Sequence, residues 1–153
     1  MKKQDIMNKA CEQALFTMRQ GKGGPFGAAV VKEGKLISVA SNTVLSSLDP
    51  TAHAEINAIR EACKILGTYD LTGCELYATG YPCPMCLSAI IWANIEKVYF
   101  CNSVEEASKI GFRDDFIYDF IQEPNNGVLK IEKLEVKKGS ELYSLYKDSG
   151  IIY

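Results

Sequence analysis

A chain of 153 residues, 47% hydrophobic and 24% charged, fits a compact globular protein with a sizeable core. A net charge of -2 and a pI near 5.5 count against binding dominated by nucleic-acid phosphates and favour a small-molecule ligand. No apolar run reaches membrane-spanning length, and the start Met1-Lys2-Lys3-Gln4-Asp5 leads into no apolar signal region, so a cytoplasmic protein without membrane contact is the expectation.

Residues 6–18 place Ile6, Ala10, Ala14, Leu15 and Met18 at the spacing of an amphipathic helix. The run Gly21-Lys22-Gly23-Gly24-Pro25 breaks it. Residues 26–31 and 36–40 flank the Glu33-Gly34 turn as a hairpin, and 41–50 are polar and loop-like. A helix is predicted over 52–66, with Gly67 as its C-cap. A strand over 75–79 precedes a helix over 85–93 that has Pro84 in its first turn, and 98–101 form another strand. Short helices are expected at 104–110 and 115–121, a strand at 128–136 and a last helix at 141–147. Helices alternating with strands predict a mixed sheet covered on both faces, in a single domain over 1–153.

The chemistry concentrates in three segments: Gly23-Gly24-Pro25-Phe26-Gly27, Pro50-Thr51-Ala52-His53-Ala54-Glu55 and Pro82-Cys83-Pro84-Met85-Cys86. Of the six cysteines, Cys11, Cys63, Cys74 and Cys101 read as inert thiols of helices and strands, and a reducing compartment makes a disulfide framework unexpected. Cys83 and Cys86 differ. Residues three apart on a helix share a face, so both sulfurs can aim at one point. A helix N-terminus stabilises thiolates, and two thiolates are natural zinc ligands. His53, the one histidine of the chain, makes a third ligand. A closed structural zinc site needs four, so this set leaves a position for water.

Glu55 stands two residues after His53, which on a regular helix turns the side chains apart. The two meet only if His53 sits ahead of the first turn, where Asp49-Pro50-Thr51 keeps the backbone irregular. Glu55 then takes a proton from water and delivers it to the substrate. A redox pair or half of a structural zinc knuckle is the plainer reading of the cysteines alone. The joint pattern H-x-E followed by P-C-x-x-C is the signature of zinc-dependent deaminases.

These residues resemble the cytidine deaminase-like superfamily. Together with Ala28, Asn42, Leu87 and Gly111-Phe112-Arg113-Asp114-Asp115-Phe116-Ile117-Tyr118, they look like its bacterial guanine deaminases. The match covers most of the chain and is weakest after about residue 122. Transfer-RNA adenosine deaminases share the zinc motifs but usually lack the segment around Asp114. The resemblance implies a three-layer αβα sandwich on a mixed five-stranded sheet. It also implies a homodimer that exchanges the C-terminal segment, about 120–153, and conversion of guanine and water to xanthine and ammonia in purine metabolism. By position it implies substrate contacts from Asn42, Asp114, Phe26, Ala54 and Tyr153, with Tyr153 closing the pocket. Each of four has a plainer reading: a turn cap for Asn42, a helix cap for Asp114, core for Phe26, a frayed terminus for Tyr153.

One position departs from the resemblance. Tyr81 stands where that family usually has glutamate directly before Pro82, which removes a carboxylate beside the metal ligands. The change opens the way to another amino-heterocycle, such as cytosine or a triazine. Glu135 and Glu141 are the candidates for an assisting tail glutamate. A transfer-RNA adenosine deaminase and a non-catalytic zinc module are the remaining alternatives. The first needs a basic groove; the second has no use for Glu55.

Overall fold

A computed structural model describes residues 1–124 and 127–153. They form two compact units, Met1–Ile117 and Tyr118–Tyr153. The first opens with α1 (Lys3–Arg19), then β1 (Gly27–Lys32) and β2 (Lys35–Ser41), joined by the tight turn at Glu33-Gly34. A short α2 (Val44–Ser47) leads to α3 (Ala54–Leu66), followed by β3 (Cys74–Gly80), α4 (Pro84–Trp92), β4 (Lys97–Asn102) and α5 (Val104–Lys109). The sheet order is β2-β1-β3-β4. β1 is antiparallel to both neighbours, and β3 runs parallel to β4 with α4 as the crossover.

β1 is buried along nearly its whole length, because helices cover both faces of the sheet. Ala28 and Val30 pack with Ala54, Ala58 and Ala62 of α3 and Ile90 of α4. Ala29 and Val31 point the other way, onto Ile6 and Ala10 of α1 and the buried Tyr77 of β3. Alanines at the contacts let the helices sit close. A Cβ at Gly27 would lie 2.0 Å from the Ala10 carbonyl oxygen, so only glycine lets α1 rest on β1 there. The expected three-layer αβα arrangement is what the chain builds.

The expected fifth strand is absent: the sheet of the described residues has four. Residues 128–136 join no strand and are exposed. Their period-two pattern says only that two faces differ, while a strand exists by virtue of a neighbour's hydrogen bonds. The polar stretch 41–50 holds the short α2 that its composition did not suggest.

The second unit holds the C-terminal part of α6 (Asp115–Gln122) and α7 (Lys137–Ser149), and none of its described residues is buried. Leu129, Ile131, Leu134, Leu142, Tyr143 and Leu145 are all more than half exposed. No helix of the described residues is long and apolar enough to cross a membrane.

Candidate metal centre and its cavity

His53 is the N-cap of α3 and keeps extended backbone angles, φ -71° and ψ 156°. Its place is set by a turn in which the Asp49 carboxylate accepts from both the N–H and the hydroxyl of Thr51, at 2.8 and 2.7 Å. Because His53 lies ahead of the regular helix, its imidazole and the Glu55 carboxyl reach the same point, as the spacing required. Cys83 is the N-cap of α4, with Pro84 beginning the helix, and its sulfur accepts from the Cys86 N–H at 3.5 Å. The N-termini of α3 and α4 therefore both face the cluster, and their dipoles favour negative charge there.

The three candidate ligand atoms lie within 4.8 Å of one another. His53 Nδ1 is 3.5 Å from Cys83 Sγ and 3.6 Å from Cys86 Sγ. Tetrahedral zinc, with Zn–S of about 2.3 Å and Zn–N of about 2.0–2.1 Å, holds a sulfur and a nitrogen about 3.6 Å apart. The donors thus stand at a spacing that suits zinc, with Nδ1 the His53 nitrogen that faces both sulfurs. Among the described residues no fourth His, Cys, Asp or Glu joins the group.

The Cys83 thiol is pulled down to about 4, chiefly by the hydrogen bond from Cys86 and then by His53 and a backbone N–H. Cys86 is raised, because it keeps the proton the pair shares and is buried. The bond to Cys83 raises His53. Glu55, 8% exposed, is raised by burial, and its carboxylate lies 3.5 Å from Cys86 Sγ.

His53, Cys83 and Glu55 open into a cavity of about 90 Å³. Phe26 and Phe112 line it as an edge-on pair, ring centroids 4.8 Å apart. Asn42 lines it too, and its plainer reading is also true: its Oδ1 accepts from the Val44 N–H at 3.1 Å, which leaves the amide NH₂ as the group on offer. Asn57 of α3 fixes the Asn42 loop by donating to Ser41 O at 2.9 Å and Thr43 Oγ1 at 3.0 Å. Asp114 lines the cavity with no side-chain partner among the described residues; burial first, then the Cys83 thiolate, raise its carboxyl. Asp114 directly precedes α6 (Asp115–Gln122), and its backbone carbonyl accepts from the Ile117 N–H at 3.1 Å.

Two expected contacts stand elsewhere. Ala54 is fully buried in the core against the sheet, because the first residue of α3 faces inward there. Tyr153 belongs to the second unit and lines a shallow surface pocket with Leu142, Tyr143 and Tyr146. Glu135 and Glu141, also in that unit, pair with Lys133 and Lys137. Four lining residues had no assigned contact: Gly80, Tyr81, Ala107 and Phe112. Phe112 lay within the segment that carried the resemblance. Ala107 had no signal of its own.

Three donors at zinc spacing, with no fourth ligating side chain among the described residues and a buried carboxyl beside them, are the equipment of zinc-dependent deaminases. A profile of the cytidine and deoxycytidylate deaminase zinc-binding region matches residues 1–102, and the chain belongs to that family of hydrolytic deaminases. It is 46% identical over 124 residues to guanine deaminase from Bacillus subtilis, covering 81% of this chain and 80% of that one. The crystal structure of that enzyme superposes with a TM-score of 0.92 at 38% identity over 97% of this chain and 95% of the other. A tRNA-specific adenosine deaminase from Aquifex aeolicus is 41% identical over 145 residues, 94% of this chain and 93% of its own. A structure of guanine deaminase from Nitrosomonas europaea gives a TM-score of 0.69 at 30% identity over 74% of this chain and 65% of that one.

Proposed function

We propose that the chain deaminates a free purine base, guanine before others, with His53, Cys83 and Cys86 as zinc ligands and Glu55 as the proton carrier. The observation that carries this reading is Asp114: an unpartnered carboxylate in an aromatic-walled cavity beside the metal cluster. A base presents ring N–H donors for such a group, and a ring carbonyl or nitrogen for the Asn42 NH₂. The flat rings of Phe26 and Phe112 suit its faces. The cavity is also small, about 90 Å³; pockets for drug-sized ligands run to roughly 300–1,000 Å³.

Zinc, when bound, lowers the pKa of water at its open position toward neutrality. Glu55 would carry one proton of the attacking water to a ring nitrogen and the second to the departing amine. The carbon that loses NH₃ gains the water oxygen, so guanine and water become xanthine and ammonia. Burial of Glu55 suits a group that must both take and return a proton near neutral pH.

Ammonia release from a panel of bases and nucleosides tests the reading. Guanine should turn over and free adenosine and cytosine should not; turnover of cytosine alone would favour a pyrimidine or triazine substrate. The similarity to a tRNA deaminase supports a second reading, which deamination of folded transfer RNA alone would establish.

The position of Asn42 depends on Gly23. A Cβ there would fall 2.1 Å from the Asn42 carbonyl oxygen and 2.4 Å from its Oδ1. Gly23→Ala therefore has to move Asn42. A displacement of about 1 Å costs on the order of 10²-fold in rate, so kcat/KM should fall by about that factor, read in steady-state kinetics at unchanged zinc content.

The exposed apolar side chains of the second unit support a homodimer in which the segment from about 120 to 153 is exchanged, since a short unit with no buried side chain among its described residues holds no fold alone. Six unpaired cysteines, two of them exposed, suit the reducing cytoplasm, where salvage or breakdown of purines would use this activity.

A further inference from the structure

We infer that Tyr81 makes the site favour a bare base over its nucleoside, acting through its ring as a fixed wall at the mouth of the cavity. The inference rests on the purine-base reading above. Tyr81 follows Gly80, where β3 and β4 make their last parallel pair with Asn102, and its N–H donates to the Asn102 carbonyl at 2.9 Å. The backbone at Tyr81 is thus still held by the sheet. The ring packs edge-on against Phe100, centroids 5.1 Å apart and planes at 83°. Backbone and ring are both braced, so the ring is held in one orientation rather than swinging as a loose surface side chain.

Tyr81 lines the cavity and yet is 41% exposed, which puts it where the cavity meets solvent. Its hydroxyl bonds to no described residue and the surrounding wall is aromatic, so what Tyr81 brings is a flat apolar surface. Three rings then edge the cavity: Phe26 and Phe112, packed on each other, and Tyr81, braced from behind by Phe100. A planar base gains contact from rings held this way. A sugar, which is neither flat nor apolar, gains none and meets a wall that does not move.

The test uses the full-length, zinc-loaded protein and measures kcat and KM for guanine and for guanosine. In Tyr81→Ala the KM for guanine should rise about tenfold or more, the loss of one aromatic contact to a base, while kcat falls far less. The preference for guanine over guanosine in kcat/KM should shrink by about tenfold as the mouth widens. Tyr81→Phe should recover most of both effects, since it restores the ring. If Tyr81→Ala fails to fold or to hold zinc, Tyr81→Leu keeps bulk without a flat ring and should show the same KM rise. The inference is overturned if KM and preference stay within twofold of wild type in the Ala or Leu variant. It is equally overturned if Tyr81→Phe behaves like Ala, which would move the role to the hydroxyl. Absence of turnover on any free base by the wild type would remove the purine-base reading itself, and that shows before a variant is made.

Discussion

Glu55→Gln is expected to leave zinc bound and lower kcat on the true substrate by about 10²–10⁴-fold, the usual contribution of a positioned acid–base group. The amide keeps the shape and the hydrogen-bonding edge of the carboxyl but cannot take a proton from water. Metal retention follows because Glu55 is outside the three-donor cluster. Its burial adds a second, opposite effect. Burial raises the Glu55 carboxyl above its ordinary value of 4.5, so the folded state favours the protonated form. That contribution is full below about pH 4.5 and is lost as pH rises through the raised value. At neutral pH the ionised group is therefore a cost, which glutamine removes. The metal-free variant should melt no lower than the metal-free wild type at pH 7, and higher if Glu55 is ionised there. Metal analysis, kinetics and thermal melts on one preparation check all of this. Activity within tenfold of wild type would end the case for Glu55 as proton carrier.

His53→Ala should weaken zinc binding by on the order of 10³-fold, since total free energies of roughly 10–16 kcal/mol are shared among the ligands of a site. Turnover should disappear with the metal. Because zinc binds the folded chain, its loss should also lower the melting temperature and make that temperature insensitive to added chelator. The wild type should lose zinc and activity to a chelator and regain both on adding zinc. Its affinity should fall as pH drops, because imidazole and thiols must shed protons to bind. Cys86→Ala should do the same and also leave a hole, as Cys86 is fully buried. Stoichiometric zinc in His53→Ala after chelation would mean that the metal sits somewhere else.

Much of this protein was legible as a string of residues because the relevant physics is local. The spacing of Cys83 and Cys86, the proline between them and the turn before His53 act within one helical turn, and the structure places all three donors at zinc distance. The hairpin at Glu33-Gly34, the cap at Gly67 and the breaker after α1 are likewise decisions of neighbouring residues. What lies beyond local reach needed tertiary structure. Whether 128–136 forms a strand depends on a partner the segment does not carry. Ala54 sits beside two site residues in sequence, yet faces the core because α3 turns it toward the sheet. Phe112 and Tyr81, 31 positions apart, meet at one cavity because chain folding brings the link between α5 and α6 and the residue after β3 to it. Asn42 offers an N–H rather than an oxygen because Val44 occupies the other end of its amide. Residue type and spacing determined the metal chemistry; the walls of the pocket, and so its selectivity, were decided by contacts between segments far apart in the chain.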